Sequence, residues 1–161
     1  ESEMEPFKAY VNGKTPGICG TYAAAALTVL MAKREEVVTQ TMDELLKGME
    51  ASIEYAFPYR GTFYWDVQRG LNDEWKKYGY KTRFNLFSEK VTPSLLEDGV
   101  PVIVGTTAAL GSPYKNHWVV VYQYAFDSNG KLWYKTYDNH GSITTVIPAV
   151  QTLCAIWLEK L

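Results

Sequence analysis

The spacing of apolar residues changes once along this chain, and the change divides it into two kinds of structure. Residues 23–34, AAAALTVLMAKR, are apolar almost all round, which predicts a helix buried on every side. Residues 39–57, TQTMDELLKGMEASIEYAF, predict a second, amphipathic helix. Thr41 followed by Glu44 three positions on is the capping-box pattern for its start. FPYRGT reads as a turn. Leu71, Trp75 and Tyr78 then fall at i, i+4 and i+7, so YWDVQRGLNDEWKKYGY predicts a third helix ending near Gly79.

Beyond Gly79 the period shortens towards two. YKTRFNLF alternates and predicts a strand, and TPSLLEDGV predicts a short helix begun by Thr92 with Pro93 at its first position. PVIVGTT reads as a strand buried on both faces. NHWVVVYQYAF, KLWYKTYDN and ITTVIPA continue as strands, the first two joined by a turn at Asp127–Gly130. TLCAIWLEK fits either a last strand or a short helix. Helices first and strands later is the segregated α+β pattern.

Composition narrows the function classes. At 161 residues and 47% hydrophobic the chain can bury a core as one domain over 1–161. A net charge of −2 with interspersed signs gives no footprint for nucleic acid. The run Lys33-Arg34-Glu35-Glu36 reads as a solvated helix surface. No apolar stretch reaches the ~18 residues of a membrane span. The chain opens Glu-Ser-Glu-Met, so a processed form is expected, with any signal peptide gone. Cys19 and Cys154 are the two cysteines. One bridge between them is conceivable, but Cys154 sits in an apolar run and reads as a small buried hydrophobe. Two distant histidines without a Cys/His/Asp cluster give no zinc pattern, and neither a metal nor a cofactor is expected.

The chemistry gathers at three places. Cys19 lies between the turn residues Thr15-Pro16-Gly17 and the Ala-rich helix. A helix start lowers a thiol's pKa through unpaired amides and aligned peptide dipoles, and Gly20 allows another group to approach closely. A buried structural cysteine fits the same placement. His117 opens a strand after the loop that contains Tyr114, where a side chain can face a cleft. Asp138 and Asn139 close the neighbouring strand, so hairpin pairing brings them to the same end as His117. Nucleophile, base and orienting group are the parts of a cysteine hydrolase. His140 follows in a glycine-containing turn and reads as exposed.

In this order, Cys-Gly heading a central helix, His-Trp-Val-Val-Val on a strand and Asp ending the next strand resemble the papain-like cysteine peptidase superfamily. The bacterial branch related to bacteriocin leader peptidases, the double-glycine peptidase-like group, is the nearest resemblance. VTPSLLEDGVPVIVGTT and FYWDVQRGLNDEWKKYGYKTRF are similar to it too, so the likeness runs over most of residues 10–147. It implies a papain-like α+β fold, a helical half packed on an antiparallel sheet, and a peptidase with Cys19 as nucleophile, His117 as general base and Asp138 as orienter. Asn139 is the alternative orienter. Relatives carry a Gln about six residues before the nucleophile; Gly13 stands there, and the resemblance leaves Asn12 as oxyanion donor. The usual Pro after the orienting Asp is replaced by Asn139. Tyr114, Trp118 and Tyr137 are candidates for a substrate groove.

A monomer acting on peptide or protein is expected, cell-wall peptide included, outside or on the surface of a Gram-positive bacterium. Two other readings share the constellation: a cell-wall amidase or transamidase, and a non-catalytic module binding peptide or glycan.

Overall fold

A computed structural model describes residues 2–12, 19–37, 40–54, 62–112 and 116–161. After a 3-10 helix, Ser2–Ala9, come three helices: α1 (Cys19–Arg34), α2 (Met42–Ile53) and α3 (Tyr64–Trp75). A 3-10 turn, Lys76–Tyr78, extends α3 and ends at Gly79, whose φ is 79°. The remainder is β1 (Tyr80–Asn85), α4 (Ser88–Glu97), β2 (Val102–Thr106), β3 (His117–Phe126), β4 (Leu132–Tyr137), β5 (Thr145–Pro148) and β6 (Thr152–Lys160). The strands form one antiparallel sheet in the order β1-β6-β2-β3-β4-β5. TLCAIWLEK is therefore a strand, and it pairs on both sides.

Strand parity decides which side each residue packs on. Ile103, Trp118, Val120, Tyr122 and Ile156 face the helical layer, where they meet Ala23–Leu27, Leu30, Leu71 and Trp75. Val102, Val104, Val119, Val121 and Ala155 face the other way and meet Val91, Leu95 and Leu96 of α4. This two-sided cover is why β2 is apolar at successive positions. Helix α1 lies between the sheet and α2 and α3, so its apolar residues are buried around nearly its whole circumference. Inside that contact Trp75 Nε1 donates to Thr28 Oγ1 at 3.1 Å.

The start of α4 differs from expectation. Helix α4 starts at Ser88, four residues before Thr92, and Pro93 lies within it. Buried Ser88 fixes that start from the sheet: its Oγ is 2.5 Å from Thr152 Oγ1 and 3.1 Å from Tyr134 Oη. That anchoring outweighs the intrahelical hydrogen bond Pro93 cannot make. The first 3-10 helix also had no periodic signal; Met4 and Phe7 hold it by being buried.

Candidate active site

A cavity of about 500 Å³ opens where the helical layer meets the sheet. Cys19, first residue of α1, and His117, first residue of β3, both line it. Its walls come from the start of α3 (Thr62, Phe63, Tyr64, Trp65), the end of β2 (Gly105, Thr106) and the β6 residues Leu153 and Cys154. Neighbours on a regular strand face opposite sides of a sheet. Leu153 and Cys154 share a cavity because β6 bulges there: Val104 pairs with Ala155 but Gly105 with Leu153. Cys154 takes φ 69° at the bulge, a strained conformation for a residue with a side chain.

The imidazole of His117 is 5% exposed. Its Nε2 lies 2.7 Å from the backbone carbonyl oxygen of Asp138. A carbonyl can only accept, so Nε2 carries the hydrogen and Nδ1 the lone pair. Burial chiefly pushes the imidazole pKa down to about 4, with the nearby His140 adding to the fall and the Asp138 carbonyl and carboxylate opposing it. The His140 ring is centred 4.3 Å from that of His117, on an exposed residue.

Asp138 reaches the imidazole through its main chain while its carboxylate organises the following turn. Oδ1 accepts from the backbone amides of His140 and Ser142 at 2.9 and 3.0 Å, and Oδ2 from Thr145 Oγ1 at 2.9 Å. Asn139 is fully buried with φ 47°. Its amide donates to the Trp118 carbonyl at 3.0 Å and its Oδ1 accepts from Asn12 Nδ2 at 2.6 Å. The two asparagines thus bind each other behind the start of β3, and neither is among the described residues of the cavity wall.

Of the groove candidates, Trp118 lines the cavity and donates its indole N–H to the Thr62 carbonyl at 3.0 Å. Tyr137 does not reach it. Parity turns the ring into the core against Phe7, where its hydroxyl donates to the Tyr10 carbonyl at 2.7 Å. Tyr114 lies outside the described residues. The aromatic wall is instead Phe63-Tyr64-Trp65, of which Tyr64 and Trp65 read in the sequence only as the start of a helix. Phe63 and Trp65 are each 45% exposed and stack at 4.6 Å; Tyr64 stacks on Phe84 at 4.6 Å. Three successive aromatics exceed what the buried stripe of α3 needs, and that surplus was a legible signal.

The thiol departs from expectation. Cys19 and Cys154 are both free, and burial pushes both thiols up, Cys154 to about 12. For Cys19 burial outweighs main-chain hydrogen bonds from Trp118 and from the helix start, and the Glu54 carboxylate pushes the same way as burial. The helix start favours thiolate as expected, but desolvation is the larger effect. The resting pair is therefore neutral thiol and neutral imidazole. Among the described residues no group of three or more His, Cys, Asp or Glu is arranged to hold a metal ion, and no helix is long and apolar enough to cross a membrane.

Comparison with solved structures decides the fold. The peptidase domain of Streptococcus ComA, a bi-functional ABC transporter involved in a quorum-sensing pathway, superimposes with a TM-score of 0.51 at 20% identity, covering 94% of this chain and 97% of that one. The chain has a peptidase-domain fold. Its α+β order of helices and antiparallel sheet is the arrangement which the likeness to the double-glycine peptidase branch implies. No family profile matches the sequence, and no curated protein matches it. The structural match is thus carried by the backbone, at low residue identity.

Proposed function

We propose that this protein is a cysteine peptidase. Cys19 attacks the substrate carbonyl, and neutral His117 takes the thiol proton on Nδ1 as the sulfur attacks. The imidazolium then gives that proton to the leaving amine, and water releases the acyl group by the reverse order of transfers. The Asp138 carbonyl keeps Nε2–H in place throughout. The observation carrying this reading is that thiol and imidazole open onto one cavity, with Nε2 engaged by the Asp138 carbonyl. The peptidase fold supports it. The substrate is an extended peptide whose apolar or aromatic side chains pack on Phe63, Trp65 and Leu153.

Incubating the protein with casein and a peptide mixture, with products read by mass spectrometry, tests the reading. Cys19→Ala should lose at least ~1,000-fold in turnover with little change in melting temperature. Undiminished cleavage by that variant would falsify the assignment. Purified cell wall in a parallel assay distinguishes an amidase. A non-catalytic module is the second reading, favoured by the protonated thiol and the exposed aromatic stack; it requires peptide or glycan binding without any cleavage.

A further inference from the structure

The Glu54 carboxylate has no role in the steps above, yet it sits against the start of α1. Glu54 follows the last residue of α2. Its Oε1 accepts from the Thr21 backbone amide and from Thr21 Oγ1, both at 3.1 Å. Its Oε2 accepts a short hydrogen bond from Thr62 Oγ1. The Thr62 carbonyl in turn holds the Trp118 indole, and Trp118 shares the cavity wall with Cys19. These connections run from the first turn of α1 through Glu54 and Thr62 to the cavity wall at Trp118, and Glu54 is the charged side chain among them.

Gly20 shows how closely Thr62 and Glu54 pack on the helix start. A Cβ there would come within 2.7 Å of Thr62 Cγ2 and 3.3 Å of Glu54 Oε1. The close approach that Gly20 permits is therefore made by the protein's own strut. Thr21 is the third residue of α1, so its amide is one of the unpaired donors of the helix start. A carboxylate bound there occupies the positive end of the helix, which a Cys19 thiolate would otherwise use.

We infer that Glu54 is a positioning residue of this site: it ties the Thr62 end of the aromatic wall to the first turn of α1 and competes with the Cys19 thiolate for that helix end. The significance for catalysis rests on the peptidase reading, whereas the competition itself does not. Its consequence is a nucleophile that stays protonated until His117 acts. The titratable groups facing Glu54 are Cys19 on α1 and Asp66 on α3, the latter ion-paired to Arg69, which also donates to the Ser52 carbonyl of α2. Among the described residues, Glu54's own partners are amide and hydroxyl donors.

The test is the rate of Cys19 alkylation by iodoacetamide from pH 6 to 11, with the modified residue identified by peptide mapping. Glu54→Gln keeps the shape and removes the charge. Its profile should move to lower pH than wild type, with alkylation several-fold faster at pH 7.5. Glu54→Asp keeps the charge and should stay closer to wild type than Glu54→Gln does. Gly20→Ala, whose methyl displaces Thr62 and the carboxylate, should also shift the profile to lower pH, and it stands in if Glu54→Gln does not fold. An unmoved or alkaline-shifted profile in the folded variant would overturn the inference. Alkylation needs no turnover. An acid-shifted variant in a protein that cleaves nothing would therefore leave this inference standing and remove only the peptidase reading.

Discussion

His117 is neutral at rest because burial penalises imidazolium more than the Asp138 carbonyl and carboxylate favour it. The folded value, about 4, lies below the ordinary 6.5. Between those values the unfolded chain takes up a proton that the folded one refuses. The stability this group contributes is complete above pH 6.5 and is lost as pH falls through 4, for a total of about 3 kcal/mol. Urea unfolding at pH 7 and pH 4 should show wild type losing more stability than His117→Asn by roughly that amount; equal losses would contradict it. At Asp138 the carboxylate builds the turn and the carbonyl holds the ring. Asp138→Asn, which keeps an acceptor for the His140 and Ser142 amides, should retain more kcat than Asp138→Ala. Equal losses would mean that the negative charge itself is what matters.

At the scale of elements, the start of α2 and its crossing with α3 illustrate local and non-local control. Thr41 and Glu44 form the full capping box: Thr41 Oγ1 accepts from the Glu44 amide at 3.3 Å, and Glu44 Oε1 accepts from the Thr41 amide at 3.1 Å. Thr41→Ala should cost about 1 kcal/mol, measured by chemical denaturation. The α2–α3 crossing depends on Gly70, where a Cβ would lie 2.4 Å from Ile53 Cγ1 and 2.7 Å from its Cδ1. Although alanine is the better helix former, Gly70→Ala should destabilise by about 1–3 kcal/mol. Ile53→Ala in the same molecule should relieve part of that loss, and a strictly additive double-mutant cycle would show that the two side chains do not meet. The capping box can be read within four residues of sequence. The crossing joins residues 17 apart and has no local signature.

At the scale of the whole molecule, β6 holds the sheet together. It pairs with β1 on one edge and β2 on the other, and it carries Cys154, Ile156 and Leu158 into the helical core. Because its partners lie 46 to 80 residues away, the sheet closes only when the end of the chain is in place. Removal of residues 152–161 should therefore abolish the cooperative thermal transition seen by near-ultraviolet circular dichroism, and a retained sharp transition would refute this. The same strand completes the cavity, since its bulge brings Leu153 and Cys154 to the side where Cys19 and His117 open.

Local chemistry was sufficient to indicate α1, α2 and α3, the capping box of α2, the strands and the α+β order, and to single out Cys19 and His117, which line one cavity. Apolar period, turn residues and the position of Cys19 at a helix start all act within a few residues of themselves, so they are legible in one dimension. Only the tertiary structure decided how those groups are used. Strand parity buried Tyr137, the turn after β4 buried Asn139 against Asn12 and Trp118, register put the β6 bulge beside the thiol, and the approach of α2 brought Glu54 to the first turn of α1. Ionisation belongs to that second set. The dipole favouring thiolate is built into the helix, but the desolvation that outweighs it comes from side chains far away in sequence.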